Sequence, residues 1–123
     1  MRKIALKFNE KKLILVLRDT QTADKIYNAL PLASKVQKWG EEIFFNTDLN
    51  IELEKDARSV VELGEIAFWC DGSAIAIGYG KTPVSKENEI RLISPCNVWA
   101  DCEFDKNYVE LIKENETVIA EKF

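Results

Sequence analysis

The segment IAIGYGKTP, Ile75 to Pro83, contains Gly80-Lys81-Thr82, the residue types that close a phosphate-binding loop. Such a loop reads G-x-x-x-x-G-K-[ST], follows a strand and opens a helix whose first amides face the phosphate. Counting back from Gly80 puts Ile75 where the first glycine is required, and Pro83 with the polar run VSKENE follows in place of a helical apolar pattern. The stretch therefore reads as a strand end entering a loop, with Gly78 and Gly80 permitting a bulge or a close backbone approach. Other reactive groupings are also missing. The chain has no histidine, which excludes Ser-His and Cys-His pairs and removes the commonest general base and metal ligand. No G-x-S-x-G elbow and no D-x-D-x-D-G calcium loop is present. Cys70, Cys96 and Cys102 form no CxxC pair and are too few for a four-cysteine zinc site. Buried, reduced thiols are expected, with a Cys96–Cys102 disulfide or a reactive thiol as the alternatives. No catalytic residue, metal ligand or cofactor is assigned from these patterns.

What remains are residues suited to recognition. Phe45, Trp69 and Tyr79 lie in apolar β-rich runs. They either line a peptide or ligand pocket or fill a core. Trp69 and Tyr79 fall on two arms of one expected hairpin, which suggests that they sit near each other. Arg91 is the only arginine of the later β region. It offers a bidentate carboxylate site or a surface ion pair.

The totals bound the class of protein. A chain of 123 residues suggests one domain over 1–123, long enough to bury a core without disulfides. Apolar residues make up 46% and charged residues 31%, the balance of a soluble folded chain. The net charge of −4 disfavours general nucleic-acid binding, which rests on Lys and Arg at the phosphates. No apolar run reaches the length of a membrane span, and the N-terminus lacks a signal-peptide core. A cytoplasmic location is expected, with neither nucleic acid nor membrane as partner.

The elements that must position these residues are short. KIALKF and KLILVLRD, separated by NEKK, predict a hairpin. Asp19 or Thr20 caps a helix over 20–30 that Pro31 ends, with Ala23, Ile26, Tyr27 and Leu30 at helical spacing. SKVQKWG and EEIFFNT predict two strands around Gly40, while DLNIELEKDAR is polar and ambiguous. Asp71-Gly72 separates EIAFWC from SAIAIGY, a strong hairpin signal. IRLIS and NVWADCEF predict separate strands flanking Pro95, KNYVELIKENE a second short helix and TVIAEKF a closing strand. About eight strands and two helices, with no strand–helix alternation, favour an antiparallel barrel or sandwich with helices at its ends.

The segments WGEEIFF (39–45), VVELGEIAFWCDGSAIAIGYGKTPVS (60–85) and SPCNVWADC (94–102) occur in this order. Together they resemble the small prokaryotic cyclophilin-like proteins, whose typical pattern runs W-G-E-E-I-Y-F, V-V-E-x-G-D-[IV]-x-Y-W-P-x-G-x-A-[LI], F-G-x-T-P-x-S and S-x-x-N-V-[IW]-G. Cys70 stands where that pattern often has proline, and Ala100 where it often has glycine. The resemblance implies a mainly β fold, a closed antiparallel eight-stranded barrel capped by two helices. It also points to Glu42 as the carboxylate facing a groove, because the motif centres there; adjacent Glu41 faces the other way on a strand. Thr82, Ser85, Ser94 and Asn97 are small polar residues in or beside these segments, suited to ligand contacts or to capping and turn hydrogen bonds. True cyclophilins are prolyl isomerases that lower a barrier of ~20 kcal/mol with an arginine in an F-H-R-[IV] strand. None of Arg2, Arg18, Arg58 and Arg91 lies in such a motif. The expected function is a non-catalytic module binding a small molecule or extended peptide, through Glu42, Phe45, Trp69, Tyr79, Thr82, Arg91 and Asn97. A weak or divergent peptidyl-prolyl isomerase is the alternative, and a homodimer is possible.

Overall fold

The structure, a computed structural model, describes all residues 1–123. Its first hairpin joins β1 (Lys3–Lys7) to β2 (Lys12–Leu17), with Ile4 opposite Leu15 and Leu6 opposite Leu13. These four side chains share one face and are buried, as expected where one sheet face meets a core, with Ala5 and Ile14 between them on the other face. Helix α1 (Gln21–Ala29) begins at Thr20, whose hydroxyl accepts from the Ala23 N–H at 3.0 Å. This N-cap satisfies one of the free amides of the first turn. Ala23 and Ile26 enter the core.

The remaining elements are β3 (Leu32–Lys35), β4 (Gln37–Lys38), β5 (Glu42–Asn46), β6 (Arg58–Val61), β7 (Glu65–Trp69), β8 (Ala74–Gly78), β9 (Ile90–Asp101), α2 (Lys106–Glu110) and β10 (Thr117–Lys122). All strand pairs are antiparallel, in the order β3-β10-β1-β2-β9-β7-β8-β5-β4. The ends of this path meet, because β3 and β4 are separated only by Val36. One bent segment pairs with β10 through its first half and with β5 through its second. There are thus ten strands where eight were expected, but eight positions around the ring, with β6 pairing only to β9 outside it. The ring is nearly closed. Its weak seam is β2–β9, paired only at Val16–Asp101 and Leu17–Ala100.

The barrel interior holds Ile4, Leu6, Leu15, Ile43, Phe45, Ile66, Phe68, Ile75, Ile77 and Trp99. The helices close opposite ends. Helix α1 sits at the β7–β8 turn, where Asn97 reaches both Thr22 and Cys70. Helix α2 sits at the other end of β8, where Tyr79 hydrogen-bonds Glu110. The three cysteines are free, Cys96 and Cys102 buried and Cys70 partly so.

One expectation needs correction. IRLIS and NVWADCEF are not separate strands but one, β9, running through Pro95. Proline lacks a ladder donor and is tolerated where pairing is interrupted. Here β9 leaves β6 after an irregular register and takes β7 as its partner from Asn97 onward. The expected hairpin of β7 and β8 forms around Asp71-Gly72, with a four-residue connection, Cys70–Ser73, and a positive φ at Ser73.

Candidate functional site

Strict alternation sets what the wall β5–β8–β7 shows to each side. Ile43, Phe45, Ile66, Phe68, Ile75 and Ile77 point into the barrel, so Glu42, Phe44, Ala67, Trp69, Ala74, Ala76 and Gly78 point outward. The outer surface is therefore largely small or aromatic. The first half of β9 and its partner β6 fold over it as a flap. A second apolar cluster of Val61, Ala67, Ala76, Leu92 and Cys96 joins the two, with Phe44, Trp69, Ile90 and Val98 packed around it.

Beside this cluster lies a pocket of about 190 Å³ lined by Trp39, Glu42, Phe44, Trp69 and Ile93. Each wall has a local cause. Trp39 and Glu42 are held together by a tight turn, with the Trp39 N–H donating to the Glu42 carbonyl at 3.0 Å. Gly40 in that turn has φ +61, and a Cβ there would stand 2.9 Å from the Lys81 carbonyl oxygen, so both backbone and space require glycine. The Trp69 indole lies over Gly72, where a Cβ would come within 2.2 Å of the ring. Its Nε1 donates to Ser94 Oγ at 3.0 Å. Phe44 meets Trp69 at 87° with ring centroids 6.5 Å apart, the edge-to-face arrangement that aromatic quadrupoles prefer.

Glu42 is only 6% exposed, and its Oε1 is fully enclosed without a hydrogen-bond partner. Across the ladder stands Gly78, and Ile90 fills the space above that glycine. Burial in this apolar setting pushes the carboxyl pKa up to about 7, because desolvation penalises the charged form. No lysine or arginine lines the pocket. One other buried polar atom lacks a partner, Trp99 Nε1, but Trp99 is sealed in the barrel core.

Of the seven residues proposed from sequence, only Glu42 and Trp69 meet in this pocket. Phe45 and Tyr79 are 1% exposed and belong to the interior. Tyr79 is also not a neighbour of Trp69. The β7–β8 register pairs Trp69 with Ala74, so Tyr79 lies at the far end of the hairpin. Its hydroxyl bonds Glu110, and burial raises its pKa. Thr82 ties the loop after β8: its backbone N–H donates to Ser85 Oγ at 2.9 Å and its hydroxyl donates to the Arg91 carbonyl. Arg91 is engaged by Glu89 through two contacts, at 2.6 and 3.2 Å. Asn97 is a buried clip. Its Oδ1 accepts from the Glu54 N–H at 2.8 Å, and its Nδ2 donates to Thr22 Oγ1 and the Glu52 carbonyl, each at 2.9 Å. Trp39, Phe44 and Ile93 also line the pocket and were not singled out from the sequence. The outward alternation of Glu42 and Phe44 was readable in the sequence; the contribution of Ile93 depends on the flap.

The sequence model described as Cyclophilin-like matches residues 2–121. The chain belongs to the Cyclophilin-like family. Among solved structures it is similar to the solution structure of the hypothetical protein AF2241 from Archaeoglobus fulgidus, with 31% identity and a TM-score of 0.83 over 99% of this chain and 95% of that one. It is also similar in fold to McbB, whose structure was solved in complex with tryptophan. That likeness has a TM-score of 0.66 at 13% identity, covering 96% of this chain and 44% of McbB. No curated protein matches the chain significantly. This Cyclophilin-like protein has no helix long and apolar enough to cross a membrane.

Its four arginines are all committed elsewhere. Arg2 pairs with Asp24, Arg18 with Glu65 and Asp101, Arg58 with Glu65, and Arg91 with Glu89. The pocket can therefore bind through apolar and aromatic contact and through a carboxyl that either donates a proton or carries charge. It presents no guanidinium.

Proposed function

We propose that this protein is a binding module that holds a small molecule, or one side chain of an extended peptide, on the outer wall of the barrel between Glu42 and Trp69. One observation carries the reading: a carboxyl oxygen enclosed without a partner in a pocket of three aromatic rings. An unpaired buried polar group costs stability. Such groups persist where a ligand completes them. McbB, which is similar in fold over 44% of its length, was solved in complex with tryptophan, so a protein that contains this barrel takes a small ligand. A cytoplasmic location belongs to the same reading.

Indole N–H signals in a ¹H–¹⁵N spectrum test it. A set of neutral, anionic and cationic fragments, with proline-containing peptides, should include members that shift Trp39 and Trp69 and leave Trp99 in place. Silence of both pocket indoles to the whole set counts against the site. A protease-coupled prolyl-peptide assay should show no turnover above background. Robust turnover that Phe44→Ala abolishes and a surface substitution spares would establish an isomerase instead.

A further inference from the structure

We infer that the occupant of the Glu42 pocket is a small organic cation, an ammonium head group bearing methyl or short alkyl substituents. The inference rests on the reading that this pocket is a binding site, and it adds the ligand's chemistry.

Three features of the site converge. The first is the enclosed Oε1 of Glu42, which has no donor from the protein. A ligand that places positive charge beside this carboxylate offsets the cost of burying it, whereas an anion would increase that cost. The second is the aromatic lining. Phe44 and Trp69 form a right-angled corner, at 87° and 6.5 Å, and Trp39 supplies another ring. Aromatic faces attract an ammonium centre lying within about 6 Å of the ring centroid, and quaternary or methylated ammonium suits them because its charge is spread over apolar surface. The third is that no cation of the chain already fills the place. Lys38 pairs with Glu110, Lys106 with Glu41 and Arg91 with Glu89, and neither these nor Lys81 line the pocket.

Size narrows the class. A pocket of about 190 Å³ lies below the roughly 300–1,000 Å³ of sites that take drug-sized ligands. It suits a head group rather than a nucleotide. The exposed side chain of Ile93 leaves the rim open, so a longer molecule could extend outward while its cationic end is held.

The test compares choline and butylammonium with 3,3-dimethylbutan-1-ol, the neutral counterpart of choline in shape. Choline should shift the Trp39 and Trp69 indole signals, leave Trp99 unmoved, and bind at least tenfold more tightly than the alcohol. Glu42→Gln should weaken choline at least tenfold and leave the alcohol unchanged, with a cooperative melting transition at or above that of the parent establishing that the variant is folded. Phe44→Leu should weaken choline while sparing Glu42. Equal or tighter binding of the alcohol, or no effect of Glu42→Gln, overturns the cationic assignment. A neutral ligand that shifts both pocket indoles while the cations do not would overturn this inference and leave the binding site standing. Silence of both indoles to the cations, the alcohol and the wider fragment set would remove the site itself.

Discussion

Two carboxylates on the barrel wall share a chemistry and differ in company. Glu65 opens β7. It accepts from Arg58 through both oxygens at 2.6 and 2.5 Å, from Arg18 at 2.9 Å and from the Glu62 N–H at 2.7 Å. Asp101 completes the cluster on Arg18 at 2.7 Å. Glu42 opens β5 and has none of this. The same side chain is driven in opposite directions as a result. Hydrogen bonding to Arg58, above all, lowers the Glu65 pKa to about 2, and desolvation raises that of Glu42 to about 7. A carboxylate whose lone pairs are answered by the protein is explained by the fold. One left unanswered inside a cavity is explained by the fold only at a cost, which makes Glu42 rather than the more heavily bonded Glu65 the candidate for function.

The largest effect expected of this contrast is on Glu65. Glu65→Ala leaves Arg18 and Arg58 facing each other and frees the Glu62 amide. It should cost about 3 kcal/mol, allowing for the partial exposure of the arginines, and lower the melting temperature by roughly 10 °C. The sign with pH follows from the lowered pKa. Stability from Glu65 is fully present above the unfolded-state value of 4.5 and is lost as pH falls toward about 2. Urea titrations at pH 6, 4 and 2.5 should show that acid loss in the parent and less of it in Glu65→Gln. Identical acid profiles would mean that the cluster contributes little and that the contrast between the two carboxylates is geometric only.

Glu42 should behave in the reverse sense. Its folded-state pKa lies above the unfolded value of 4.5, so the stability associated with the neutral acid is complete below pH 4.5 and is lost as pH rises toward about 7. The full loss amounts to about 3 kcal/mol at most. The chain has no histidine, so no ordinary side chain titrates across pH 5–8 to obscure it. Denaturant unfolding should show parent stability declining from pH 5 to 8 and Glu42→Gln remaining nearly flat, with the variant the more stable by about 2 kcal/mol at pH 8. A slope that survives the substitution would place its origin elsewhere. A stabilising substitution at a buried polar position is what a site maintained for binding predicts.

The sequence exposed the frame of this comparison but not its terms. Strand alternation in KIALK and KLILVL, the Thr20 cap and Pro31 locate the first hairpin and α1, because those signals are local. The resemblance of WGEEIFF singled out Glu42 before its surroundings were known. What stayed hidden depends on contacts across the chain. Pro95 reads as a strand break, yet β9 passes through it because the strand changes partner there. Asn97 and Thr82 look like polar contacts for a ligand, but their bonds go to Glu52, Glu54, Thr22 and Arg91, none of which spacing could pair with them. The separation of Trp69 from Tyr79 was readable. Extending the register from Trp69–Ala74 carries Tyr79 to the level of Gly64, so arms of one hairpin do not imply neighbouring rings.

The smallest stability effect, and the one that most sharpens the contrast, is expected at Gly72. Its conformation is ordinary, so its role is spatial: a Cβ would lie 2.2–2.8 Å from three carbons of the Trp69 ring. Gly72→Ala must displace that indole. The Gly72 carbonyl accepts from Asn46 Nδ2 at 2.9 Å and the turn amide of Ser73 bonds the Cys70 carbonyl at 3.3 Å, so the backbone has little freedom to move instead. Overpacking at a partly open site should cost about 1 kcal/mol, a smaller change in stability than either carboxylate substitution produces. The consequence for the pocket should be larger than that cost suggests, because moving Trp69 opens its right-angled contact with Phe44 and lengthens the Nε1–Ser94 bond. The Trp69 indole signal should shift in the free protein while Trp99 stays in place, and any ligand of the Glu42 pocket should bind several-fold more weakly. The Glu65 cluster lies at the opposite end of β7, so acid stability should match the parent. Loss of acid stability together with the indole shift would show that the ends of β7 are coupled. The ionic cluster and the orphan carboxyl would then be parts of one site rather than opposites.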